Sequence, residues 1–336
     1  MTLLNAHIRK LPLSLLFSAS LFQSQLLKAE EITVGYFLEW PTPNQFAQSK
    51  KLYDKALGVD VKWVSFDAGT AMSAAMASGD VQISFSQGIP PFVVAASAGQ
   101  DLQIVDIAIS YSDNENCVVR DNLEIDKTNA KELEGKQAGV PIGTAAHYGF
   151  LKQMKHFAVN TNSMKIVDME PAAGAAAFAN GNLDIVCGWG GALTRMKEHG
   201  NVLLTGAEKE QLGIQVFDAT TVSTQWAQEN PELLAKFLKV TADMNAKYAS
   251  SDAENMLPII AKAAGTDIAA TKATLQTFTF PTIQQQLSKQ WLGGGTQAFL
   301  KNVGDFFVEQ GTIPKARKDY NDAVDSSYLE AAAKLK

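Results

Sequence analysis

The sequence predicts an α/β protein of two lobes, the second inserted into the first, with a helical C-terminal part. Three observations lead there. Strand-like apolar runs alternate with helix-like stretches across short connections, the pattern of a mostly parallel sheet with helices on both faces. That alternation breaks near Ser112 and then restarts. From Glu229 onward the chain reads as largely helical. The length agrees, since 336 residues exceed the ~150 of an average domain.

Composition removes several function classes. Hydrophobic residues are 46% and charged residues 19%, an ordinary globular balance. The formal charge of −6 lacks the basic footprint of a nucleic-acid binder. Two cysteines cannot form a disulfide scaffold or a four-thiolate zinc site.

The first element is a targeting segment. Arg9 and Lys10 precede the apolar run LPLSLLFSASLF. This run is shorter than the ~20 residues a membrane span needs, but it suits the central region of an export signal. Cleavage is expected near Ala29, giving residues 1–29 as signal; the alternative is a short anchor or a buried helix. Cleavage would remove Arg9, Lys10 and Lys28 but no acid. The mature chain would carry 26 basic and 35 acidic residues, a net −9. No later stretch has the length and apolarity of a span.

Each following element has its own justification. Ile32, Val34 and Tyr36 alternate with polar or small residues, predicting a strand that ends at Pro41 and Pro43. A helix is expected over 45–57, stopped by Gly58. Residues 59–66 read as a second strand. Asp67 is placed as N-cap of a helix over 71–78 ending at Gly79. Strands over 81–86 and 102–110 flank a helix that begins at the prolines after Gly88. In the second lobe, strands are expected at 117–121, 137–142, 165–170, 183–189 and 201–206. Helices are expected at 145–157 and 172–181. The lobe crossings fall near Ser112–Val118 and Phe217–Thr221. This gives lobe 1 as residues 30–115 plus 222–336 and lobe 2 as 116–221. No repeat of 20–50 residues is present, so solenoids and propellers are excluded.

Catalytic patterns are missing where they would be expected. The sequence has no GxxxxGK[ST], GxSxG or HExxH. Gly293–Gly295 follows Trp291 rather than a strand and reads as a turn. His7 lies in the signal, and His156 and His199 sit near helix ends without ligand-type spacing. Cys117 and Cys187 read either as a bridge between lobe segments of an exported protein or as two buried thiols. The expectation is a non-enzyme without a cofactor or metal.

The unusual residues gather at strand ends, where open α/β sheets bind ligands. The first strand ends in Phe37, Leu38, Glu39 and Trp40, and the third in Ser86, Gln87 and Gly88 before Ile89, Pro90 and Pro91. Gly143 and Thr144 precede a helix beginning Ala145, Ala146, His147, and another strand ends at Trp189. A helix N-terminus carries about +0.5 charge and free N–H groups, which suit a small anion. Thr144 reads as N-cap or hydroxyl donor, and His147 as cleft-facing or packed. Trp40 and Trp189 offer aromatic faces to a cation or are core residues, the reading that suits Trp63 and Trp226. Asp218, among apolar neighbours, reads as a hinge acceptor or as the partner of a ligand's cationic end.

Taken together, FDAGTAMSAAMASGDVQISFSQGIPPFVVAASAG, ELEGKQAGVPIGTAAHYGFLKQM, GNLDIVCGWGGAL and FDATTV resemble the taurine/alkanesulfonate-binding proteins of ABC importers. The resemblance spans nearly all of residues 31–330. It implies a type II two-lobe periplasmic binding protein with a closing cleft. It also implies a small zwitterionic ligand and a membrane permease with its ATPase as partner, in a monomeric periplasmic protein. By position it assigns the aspartate to Asp218, the second-lobe tryptophan to Trp189 and the helix start to Thr144, His147 and Tyr148. Ala145 and Ala146 replace the usual hydroxyls, and FLEWPTPN adds aromatic surface, which also suits a methylated onium such as glycine betaine or dimethylsulfoniopropionate. Two other classes remain beside binding: a pyrimidine-synthesising enzyme on the same fold and a chemosensory docking partner.

Overall fold

Two mixed sheets organise the chain. The computed structural model describes residues 31–214, 216–250 and 252–336. The expected export signal and its cut near Ala29 lie outside the described residues. The strands are β1 (Glu31–Phe37), β2 (Asp60–Phe66), β3 (Ile83–Gly88), β4 (Leu102–Tyr111), β5 (Glu115–Arg120), β6 (Gln137–Val140), β7 (Lys165–Asp168), β8 (Ile185–Trp189), β9 (Gly200–Val202), β10 (Val216–Ser223) and β11 (Phe278–Thr279). The first sheet has the order β11-β4-β10-β3-β1-β2 and the second β7-β6-β8-β5-β9.

Neither sheet is mostly parallel as expected. Strand β1 pairs parallel with β2 and β3, as crossover helices require. Strand β10, however, enters the first sheet antiparallel to both β3 and β4. In the second sheet β5 runs antiparallel to β8 and β9. In both cases the reversed strand is one that adjoins a passage between the lobes. The first passage is short, between Tyr111 and Glu115. The second lies between β9 and β10, upstream of the expected Phe217–Thr221, because β10 already belongs to the first sheet. The second lobe is thus inserted in the first.

Local chemistry accounts for most element ends. Gly58 and Gly265 close helices in the left-handed conformation. The helix expected over 45–57 is two, Pro43–Ser49 and Leu52–Leu57, separated at Lys51 with φ 52°. Asp67 does not cap: the helix Gly69–Ala77 begins after Ala68. The expected strand at 201–206 is only β9, since Thr205 and Glu208 form a capping box for a new helix, Gly206–Gln211.

The core is continuous across both lobes. The helix Gly295–Glu309 joins them: Phe299, Phe306 and Phe307 surround Tyr148 of the helix Ala145–His156 at ring separations of 6.2, 5.4 and 6.1 Å. A smaller core, including Phe178, Leu183, Val186 and Met196, fills the far face of the second sheet. Among the described residues no helix is long and apolar enough to cross a membrane.

Candidate functional site

Strand ends from both sheets meet around a cleft with about 330 Å³ of space not occupied by atoms. The first lobe contributes Phe37 and Trp40 after β1, Gly88 at the end of β3, Pro91, Tyr111 at the end of β4, and Asp218 on β10. The second contributes Glu115 at the start of β5, Trp189 at the end of β8, and Thr144 and Ala145 at a helix start. The first-lobe wall is acidic and aromatic, and the second-lobe wall adds Glu115 and Trp189 and presents a helix N-terminus.

Asp218 is fixed by three side chains. Ser86 Oγ donates to one carboxyl oxygen at 2.7 Å and Tyr111 OH to the other at 3.0 Å. Trp40 Nε1 donates to Ser86 Oγ at 3.0 Å, so the indole orients the serine that orients the acid. Ser86 reaches this position in the left-handed region, at φ 59°, a conformation that costs a non-glycine residue about 1–2 kcal/mol. Such strain is typical of binding sites. Burial raises the Asp218 carboxyl to about 7, against the hydrogen bonds from Ser86 and Tyr111. Burial also drives the Tyr111 phenol well above its usual value.

The opposite wall begins with Thr144, whose hydroxyl caps the helix Ala145–His156 by accepting from the His147 N–H. The N–H groups of Ala145 and Ala146 lie in the first helical turn and so have no intrahelical acceptor. The walls approach closely at Gly88: a Cβ there would be in ordinary contact with the Ala145 methyl at 3.4 Å and with Asp218 Oδ1 at 3.7 Å.

Aromatic rings line the space between. Trp40 packs edge-on against Tyr111 at 5.1 Å and tilts against Phe278 at 4.7 Å. Phe37 meets Trp189 across the lobes at 6.0 Å.

Of the residues the sequence singles out, Phe37, Trp40, Gly88, Thr144, Ala145, Trp189 and Asp218 line the cleft. Glu39 lies at its outer edge and pairs with Arg195 at 3.0 Å, across the lobes. Gln87 turns away: its amide donates to Gly69 O and Ser73 Oγ, and its carbonyl accepts from Thr221. Gly143 donates its N–H to His147 Nδ1 at 3.2 Å. His147 packs on Phe307, and burial lowers it to about 4, so the ring is neutral. Ala146 stands behind Ala145 in the first turn. Cys117 and Cys187 are disulfide-bonded, but as directly paired residues of β5 and β8 within the second sheet, not between lobes. Tyr111 and Glu115 escaped the sequence reading, and Ser86 stood in a marked strand end without an assigned role.

Residues 42–255 match the family described as NMT1/THI5 like. The taurine-binding periplasmic protein of Escherichia coli (strain K12) is 28% identical over 315 residues, covering 92% of this chain and 95% of that protein. The fold is that of the periplasmic aliphatic sulphonate binding protein SsuA from Escherichia coli, with TM-score 0.68 and 21% identity over 85% of this chain and 94% of that one. It is also that of the alkanesulfonate-binding protein SsuA from Xanthomonas axonopodis pv. citri bound to MOPS, with TM-score 0.70 and 19% identity over 85% and 95%.

Proposed function

The chain belongs to the NMT1/THI5-like family, and from that premise we propose that it is the solute-binding protein of an ABC importer, taking a small zwitterionic sulfonate such as taurine into the interlobe cleft. The carrying observation is the pairing of opposite charges across the cleft: a buried carboxyl on one wall and a helix N-terminus on the other. The sulfonate accepts from the N–H groups at Ala145 and Ala146 and from the positive helix end. The ammonium meets Asp218, and the methylenes lie against Trp40, Phe37 and Trp189. Contacts to both lobes make ligand binding and lobe closure one equilibrium, because the ligand stabilises only the form in which both walls are near.

The protein then acts by binding and delivery, without turnover, as a monomer in the periplasm. Its partner is a permease with its ATPase. The names of the three proteins given above, all binding proteins, support this reading.

A second ligand class is favoured by one observation. Four aromatic side chains, Phe37, Trp40, Tyr111 and Trp189, line the same space. Aromatic faces attract methylated onium groups at about 0.5–2 kcal/mol each. Thermal unfolding with taurine, an alkanesulfonate, glycine betaine and dimethylsulfoniopropionate separates the two. A ligand at 100 times its Kd adds about 2.7 kcal/mol, a clear rise in Tm. Stabilisation by taurine supports the sulfonate reading, and stabilisation by the methylated compounds alone supports the onium. No rise with any of them rejects both.

A further inference from the structure

The cleft holds a second acid. Glu115 opens β5 in the inserted lobe, opposite Trp189 in register, and both line the cleft. Its carboxyl and that of Asp218 therefore come from opposite lobes into one cleft. Glu115 is 2% exposed. Its Oε2 has no hydrogen-bond partner among the described residues. Lys209, also buried, donates its ammonium to the main-chain carbonyl of Glu115 and not to the carboxyl. Lys209 acts on the Glu115 carboxyl through its charge, but Oε2 keeps an unfilled acceptor position in a buried setting, which is unfavourable. The helix Ala145–His156 makes room for this carboxyl. At Gly149 a Cβ would stand 2.9 Å from Glu115 Oε1.

We propose that Glu115 is the second acidic contact for the ligand's cationic end, and that it makes the cleft select a protonated amine over a fully methylated onium. The inference rests on the zwitterion reading above. Asp218 already accepts from Ser86 and Tyr111, so it has limited capacity for further donors. Glu115 Oε2 has spare capacity. An ammonium group carries three donors and can satisfy both acids at once, linking one lobe to the other. A trimethylammonium group has no N–H, so it would leave Glu115 Oε2 unsatisfied. The aromatic walls serve either head group, whereas Glu115 discriminates between them.

Calorimetric titration of the full protein with taurine and with its N,N,N-trimethyl analogue tests this. Wild type is expected to prefer taurine. Glu115→Gln keeps the shape and removes the charge. It should weaken taurine at least tenfold and change the trimethyl analogue less than threefold. Gly149→Ala, which leaves the acid present but displaces its carboxyl, should also weaken taurine selectively, so the test does not depend on one variant folding. Taurine affinity within threefold of wild type in both variants overturns the assignment and leaves the zwitterion reading intact. Wild-type preference for the trimethyl analogue overturns it as well. Binding of neither compound by wild type overturns both.

Discussion

Asp218 and Glu115 both titrate near 7, because burial disfavours their charged forms. A cationic ligand needs these acids ionised, so affinity for it should fall as pH drops through 7, even though an amine stays protonated there. Lys209, which lowers Glu115, and the phenols of Tyr111 and Tyr148 are the other titratable groups nearby. The sign for stability is the reverse. An acid whose folded-state value lies above its unfolded one binds more protons when folded, so it destabilises the ligand-free protein as pH rises from about 4 to 7. His147, lowered to about 4, acts oppositely over the same range. The informative measurement is therefore the difference in Tm between wild type and Asp218→Asn, which should grow in the variant's favour from pH 5 to pH 8. The same variant, and Asp218→Ala, should lose ligand-induced stabilisation; affinity kept within threefold would remove Asp218 from the site. Asp218 was legible because an acid in an apolar strand is anomalous. Glu115 was not, since it follows Asp113 and Asn114 in a run that reads as solvated turn. Tyr111 was hidden by ordinary strand composition, and Ser86 was marked by its place at a strand end while its contact to Asp218 was not.

At the scale of elements, the cleft depends on how closely a few backbone segments approach. Gly190 begins the helix Gly190–Lys197 at φ 55°, and a Cβ there would lie 2.6 Å from the carbonyl oxygen of Glu39 on the other lobe. Gly190→Ala should hold the lobes apart. We expect ligand affinity to fall more than tenfold while the ligand-free Tm drops by only a few degrees; calorimetry and differential scanning measure each. Thr144→Ala removes a helix cap worth about 1 kcal/mol and should lower Tm modestly. The sequence marked the strands that end at the cleft, though several ends lie two to four residues from their expected places. It did not reveal the Gly190–Lys197 helix, because two glycines before a short amphipathic run read as a turn. Only the proximity of Glu39, a long-range fact, explains them.

At the scale of the molecule, insertion was legible in the interruption and restart of the strand–helix rhythm. The antiparallel entry of β10 was not, since direction in a sheet leaves no mark in local periodicity. The Cys117–Cys187 bridge closes a 70-residue separation within the inserted lobe. Such a cross-link contributes about 2–4 kcal/mol. Cys117→Ser with Cys187→Ser should lower unfolding free energy by that amount in chemical denaturation. It should change ligand affinity little, because the bridge spans no lobe boundary. The interlobe pairs Glu39–Arg195 and Lys155–Glu309 are exposed enough for salt to screen.

Strand β10 sits between β3 and β4, and this fixes an order of assembly. During synthesis the first four strands emerge before the inserted lobe, yet two of them lack the neighbour that holds them in one sheet. The first lobe therefore cannot close until more than a hundred further residues have been made, whereas the inserted lobe is one contiguous stretch of chain. Pairings of such long sequence separation form slowly. The nascent chain should stay open for most of its synthesis, with the inserted lobe the first unit to become protease-resistant and the ligand cleft the last feature to exist.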